Sequence, residues 1–210
     1  MWDKTEENIS IPATDMEHYA EHPDVIFVCV KGYSLQETIP FIKRIARKNT
    51  IVIPVLNIYG TGGKMQKELP DLLVTDGCIY VSANIKEPGK LLQHGQILHI
   101  VFGVRDKAEF RPELKEIQKD LCDSHIDGTL SENIRREALE KFSYVSPIGA
   151  AGLYYHATAA DFQKEGEARE LFKTMIKEIA ALAEAMGVPF QKDMAEVNLK
   201  ILSNLAPEAT

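Results

Sequence analysis

Two short runs of continuous apolar, largely β-branched residues constrain this chain most: DVIFVCV at Asp24 to Val30 and TIVIPVL at Thr50 to Leu56. Each is too short for a typical helix and lacks the alternation of a half-solvated strand, so each reads as a strand buried on both faces, as in parallel sheets. Between them, Ser34 to Arg47 carries Leu35, Ile39, Ile42 and Ile45 at helical spacing, with Ser34 and Glu37 in capping-box register. Strand, helix, strand is a right-handed crossover unit, and the order predicts α/β layers. A further short helix is expected from Gly60 to Leu69.

From Gly77 the pattern changes to antiparallel pairing. CIYVSANI and KLLQHGQILHIVFG flank Glu87-Pro88-Gly89, a turn whose proline fixes one dihedral and whose glycine accepts a positive one. A hairpin follows, and His94 before Gly95 is expected to close it. Arg111 to Leu121 reads as helix and Ile126 to Leu130 as a last short strand. A domain boundary near Ser131 divides the chain into 1–130 and 131–210, and everything beyond it is helical. Glu167 to Met186 is the clearest such segment, stopped by Gly187 and Pro189. Lys192 to Leu205 repeats the pattern through Met194, Val197, Ile201, Leu202 and Leu205.

The helix predicted to follow Ser131 places Ile134, Ala138, Phe142 and Val145 on one face and Arg135, Arg136 and Glu140 on the other. Lys141 falls at the margin, where a packed stem can aim its ammonium into a cleft. Pro147 should kink the helix, and Gly149, Ala150, Ala151 and Gly152 leave room for another backbone. These residues suit the wall of a site. By itself, such a lysine reads first as solvated, with Glu137 one turn earlier as its ion-pair partner.

The balance of charges narrows the function. A net charge of -7 on 210 residues argues for small molecules as partners, against nucleic acid or an anionic membrane surface. Cys29, Cys78 and Cys122 are far apart, with no C-x-x-C spacing, and fit a reducing, cytoplasmic setting. No run of about 18 apolar residues could span a membrane, and MWDKTEEN has no apolar signal core. The six histidines show no metal-ligand spacing, and G-x-S-x-G is absent, which argues against a metal site and against acyl transfer. Lys31 and Asn57 stand at the carboxyl ends of the two apolar strands, where open α/β sheets bind ligands. Each could also be ordinary loop chemistry. The G-T-G-G run at Gly60 to Gly63 matches neither a P-loop nor a dinucleotide fingerprint.

Four phrases occur in register: DVIFVCVKGYS, IVIPVLNIYG, EPGKLLQHG and IRREALEKF. With them the chain resembles the ketopantoate reductases, or 2-dehydropantoate 2-reductases, NADPH-dependent enzymes of pantothenate synthesis. The resemblance implies the remaining part of an α/β, Rossmann-type dinucleotide-binding domain over 1–130, a partial parallel sheet plus the hairpin. An all-α domain resembling that of 6-phosphogluconate dehydrogenase follows over 131–210, for substrate and dimerisation. It implies Lys141 as general acid toward the keto oxygen, Lys31, Asn57 and Ala83 lining NADPH, and Asn57 also near the substrate, a small 2-oxo acid. A homodimer is implied.

The departures define what else is expected. The family's first strand and G-x-G-x-x-G do not appear, nor does its closing serine-bearing segment, so the sequence reads as trimmed at both ends and as lacking the pyrophosphate anchor. Asparagines that the family carries four and eight residues after the lysine are Val145 and Gly149, and its glycine after the strand-end asparagine is Ile58. A reductase of another 2-oxo acid, a dehydrogenase of a hydroxy acid or an opine, and a binding or dimerisation module without turnover are the competing expectations.

Overall fold

The computed structural model describes residues 8–209; the segment MWDKTEE, read above for a signal core, and Thr210 lie outside the described residues. Strands β1 (Val25–Val28), β2 (Ile51–Pro54) and β3 (Leu73–Val74) form a parallel sheet in that order, with helix α1 (Leu35–Ile45) between the first two and α2 (Thr61–Glu68) between the second pair. Alternate residues serve two cores. Val28, Val52 and Val74 pack with Leu35, Ile39, Ile42 and Met65 on one side. Ile51, Ile53 and Leu73 pack with Phe102 and Leu114 on the other. Ile53 and Phe102 have no exposed surface, and burying each side chain contributes about 1.5–3 kcal/mol.

All of β2 is buried, as its unbroken apolar run predicts. β1 is not, because it is the edge of the described sheet: Val28 is covered but Phe27 is 37% exposed. The Ser34–Glu37 capping box does not form either. The chain enters α1 through a 3-10 turn at Gly32–Ser34, leaving Ser34 at φ -95, ψ 1 rather than in the extended geometry from which a serine caps.

Strands β4 (Asp76–Glu87) and β5 (Lys90–Gly103) form the hairpin, closed at Pro88-Gly89 with Gly89 at φ +79. His94 and Gly95 lie inside β5, contrary to the expectation that they close the turn. Val81 pairs with Leu98 but Ser82 pairs with His94, so residues 95–97 are extra on β5, and Gly95 takes φ +89 there. Helix α3 (Glu113–Asp123) and strand β6 (Asp127–Leu130) follow, β6 running parallel to β5.

The remaining elements are helices α4 (Ile134–Tyr155), α5 (Ala159–Gln163), α6 (Glu167–Ala185) and α7 (Met194–Ser203). Asn133 caps α4 through Arg136 N–H. The face that α4 buries is not the expected Ile134–Ala138–Phe142–Val145 stripe. Ile134 is buried, but the continuous stripe is Leu139, Ser143, Pro147 and Ala151, while Ala138, Phe142 and Val145 are half-buried. A small-residue stripe lets neighbouring helices approach closely, and hydropathy alone gives no weight to a serine or a proline. α6 buries Ala168, Phe172, Ile176, Ile179 and Ala183, as its spacing predicts. α7 buries Met194, Ala195, Asn198 and Leu202, whereas Ile201 and Leu205, expected on the apolar face, are 43% and 38% exposed.

The chain forms two compact units, one comprising the residues up to Leu56 with Thr61–Leu130, the other Asn57–Gly60 with Ser131 onward. The segment Asn57–Gly60, between β2 and α2 in sequence, thus packs with the helices. Among the described residues, no helix is long and apolar enough to cross a membrane.

Candidate functional site

In the helical unit α4 presents Lys141 to Asn57: the ammonium Nζ donates to Asn57 Oδ1 at 2.7 Å. An ammonium can only donate, so this contact sets the amide's orientation and makes its nitrogen the donor end. Next to them Tyr59 meets Phe142, ring centroids 6.4 Å apart, and both rings join a core of Leu139, Ile179, Ala183 and Val188. The bracing is mutual. Tyr59 anchors the segment that carries Asn57, and Phe142 anchors the turn that carries Lys141. Glu137, the expected partner of the ammonium, accepts from Ser131 Oγ at 2.7 Å. Burial raises the Glu140 carboxyl above its usual range; Arg136 and Lys192 oppose that shift and Glu137 adds to it.

Val145 and Gly149, four and eight residues after Lys141 on α4, carry no polar side chain. Val145 is half-buried, Gly149 is exposed, and a Cβ added at Gly149 would meet nothing within 4 Å. Ile58 is 44% exposed.

The other two expected residues belong to the α/β unit. Lys31 is exposed at the carboxyl end of β1, where it precedes the 3-10 turn into α1, an N-terminus that no side chain caps. Ala83 is exposed on β4 opposite Gln93, in the outer half of the hairpin. A shallow groove lined by Gln66, Lys67, Leu72, Phe110 and Arg111 holds none of the expected residues.

At α2 the G-T-G-G run has a definite role. The carboxylate of Asp76 accepts from the backbone N–H groups of Gly62 and Gly63, so the helix start already holds an anion of the protein's own. Burial raises the Asp76 pKa, while Arg105 at 3.7 Å and the two N–H groups act against that shift. No phosphate site remains there. By contrast, the positive charge of Lys31 beside the start of α1 fits an anionic portion of a nicotinamide dinucleotide.

Sequence reasoning missed Asp76 and Asn198. Asn198, 1% exposed on α7, donates through Nδ2 to Ser143 O at 3.0 Å and to Ser143 Oγ at 3.1 Å. Pro147 is the signal that could have found it, since a proline inside a helix frees the carbonyl four residues earlier.

These observations define a Rossmann-like α/β region followed by an all-helical one that holds a lysine against an asparagine. Residues 3–107 match the family model for "Ketopantoate reductase PanE/ApbA", and residues 133–210 match its C-terminal counterpart. The chain belongs to the ketopantoate reductase family, a family of oxidoreductases. It is 20% identical to a 2-dehydropantoate 2-reductase of Aquifex aeolicus, over 92% of this chain and 63% of that protein. Among solved structures it resembles a dimeric ketopantoate reductase from Staphylococcus aureus, with TM-score 0.78 and 21% identity, over 92% of this chain and 63% of that one. It also resembles a D-mandelate dehydrogenase solved with NADH and anilino(oxo)acetate, with TM-score 0.77 and 18% identity, over 92% and 62%. The chain spans about 60% of the length of the relatives it matches.

Proposed function

We propose that the protein reduces a small 2-oxo acid, with Lys141 as proton donor, Asn57 as its partner and a nicotinamide dinucleotide as reductant. The observation that carries this reading is the 2.7 Å bond between Lys141 Nζ and Asn57 Oδ1. A ketone that accepts hydride builds negative charge on its oxygen. An ammonium directed at that oxygen stabilises the charge and then supplies the proton. Asn57 holds the ammonium in direction, and its amide nitrogen can donate to the same substrate. When bound, the cofactor supplies the hydride; Lys31 would meet one of its anionic groups, and the family resemblance implies Asn57 and Ala83 as further contacts. On this reading residues 1–130 belong to the dinucleotide-binding part and 131–210 to the substrate part, and the protein works as a homodimer in the cytoplasm. Ketopantoate with NADPH, in pantothenate synthesis, is the leading pair. Following nicotinamide oxidation at 340 nm with ketopantoate and the full-length protein tests it; no oxidation with any 2-oxo acid would end the assignment.

A second reading concerns the substrate. Val145 and Gly149 offer no hydrogen bond from the wall beyond Lys141, which favours a 2-oxo acid whose side chain carries no hydroxyl. The mandelate dehydrogenase among the structural neighbours shows that this fold accommodates an enzyme named for an aromatic hydroxy acid.

A further inference from the structure

Among the described residues, two prolines lie inside helices, and their surroundings differ. Pro40 lies inside α1, where it and Gln36, whose carbonyl it leaves without a partner, are both exposed, so water can satisfy that oxygen. Pro147 lies inside α4 and is buried, as is Ser143, whose carbonyl it leaves without a helical donor. Water does not reach that oxygen, and an unsatisfied buried carbonyl is costly. α7 supplies the replacement: Asn198 Nδ2 lies 3.0 Å from Ser143 O. The same Nδ2 lies 3.1 Å from Ser143 Oγ, while that hydroxyl donates to Glu140 O at 2.7 Å. The carbonyl only accepts, so the amide has one possible orientation.

We infer that Asn198 is a positioning residue for Lys141: its side-chain amide replaces the N–H that Pro147 lacks and holds the turn of α4 carrying the lysine in its course. Ser143 and Glu140 flank Lys141 in sequence, and both belong to this network. Without the amide, the freed carbonyl must find another donor, and the turn bearing Lys141 shifts against Asn57. The consequence for turnover rests on the reductase reading above; the consequence for the lysine's surroundings does not.

The test compares Asn198→Leu, Pro147→Ala and the double variant in the full-length protein. Two readouts are followed: steady-state kinetics with a 2-oxo acid, and the resonance of ¹³C-methylated Lys141, assigned by its loss in Lys141→Arg. Asn198→Leu should lower kcat by about tenfold or more with KM within about twofold, because misplacing a reacting group affects the chemical step more than binding. It should also move the Lys141 resonance. Pro147→Ala restores an N–H at position 147, so the double variant should regain kcat to within about threefold of Pro147→Ala alone and return the resonance. If Asn198→Leu does not fold, the double variant decides by itself. Folding and turnover near Pro147→Ala support the inference, and equal failure overturns it. A lower melting temperature with kcat and resonance unmoved would make Asn198 merely structural. Near-wild-type turnover in Lys141→Ala would instead end the catalytic reading, and the resonance would still decide whether Asn198 positions the lysine.

Discussion

Lys141 Nζ and Asn57 Oδ1 lie 2.7 Å apart although 84 residues separate them in the chain. The pair is fastened on both sides by the contact of Tyr59 with Phe142, so neither polar group relies on a flexible stem alone for its place. Side chains held by packing around them can keep the geometry that a proton transfer needs.

Lys141→Ala should lower turnover by roughly 10² to 10⁴ and leave the melting temperature almost unchanged, since a positioned acid is worth that much and an exposed contact is not. Asn57→Ala should cost about 10² through loss of the orienting amide. Steady-state assays and thermal melts on the two variants check this, and a stability loss without a turnover loss would make the pair an ordinary surface contact.

The absence of a polar side chain at Val145 and Gly149 predicts weak discrimination between ketopantoate and 2-oxoisovalerate, which lacks the hydroxyl. The ratio of their kcat/KM values should stay well below about 10⁴, the discrimination expected of a site built to bond a hydroxyl. Val145→Asn should raise that ratio. Competition kinetics with the two acids measures both values.

At α2, Gly62 and Gly63 should respond oppositely to alanine. A Cβ at Gly62 would fall 1.9 Å from Thr75 O, a backbone atom, and 2.4 Å from the Asp76 carboxylate, whereas at Gly63 the nearest atom is 3.9 Å away on the Arg105 side chain. Gly62→Ala should therefore cost about 3 kcal/mol, at the upper end for overpacking. Gly63→Ala should be neutral or stabilise by up to about 1 kcal/mol through helix propensity. Urea unfolding of the two variants is the measurement.

Glu140 ties stability to pH. Burial, the largest influence, raises its folded-state pKa above the ordinary 4.5. The stability this represents is fully present below the unfolded pKa and is lost as pH rises through the folded one. Glu140→Gln, which never ionises, should therefore melt at or above the wild-type temperature at pH 7, with that advantage disappearing as pH falls below 4.5. Melting curves across pH 4 to pH 8 check it, and an advantage that grows toward acid would refute the assignment.

What the sequence determined by itself is what depends on neighbours along the chain. The run TIVIPVL specifies a strand covered on both faces because nothing in it tolerates water, and β2 is buried throughout. Pro88-Gly89 specifies the hairpin turn, and the spacing of Ala168, Phe172, Ile176 and Ala183 specifies the buried face of α6. The place of Lys141 on a helix after the α/β region was legible in the same way.

Tertiary structure decided whatever depends on partners distant in sequence. Phe27 is exposed because β1 is an edge of the described sheet, which its composition does not reveal. His94 lies within a strand because its pairing with Ser82 places it there, with its Nε2 at Asn84 Oδ1. α4 buries Ser143 and Pro147 rather than Val145 because close approach of helices favours small side chains, and because Asn198 supplies the donor that makes a buried proline tolerable. Lys141 is bonded to Asn57 for the same kind of reason: a hydrogen bond requires two atoms within about 3 Å, and for residues 84 apart only the folded backbone brings them there.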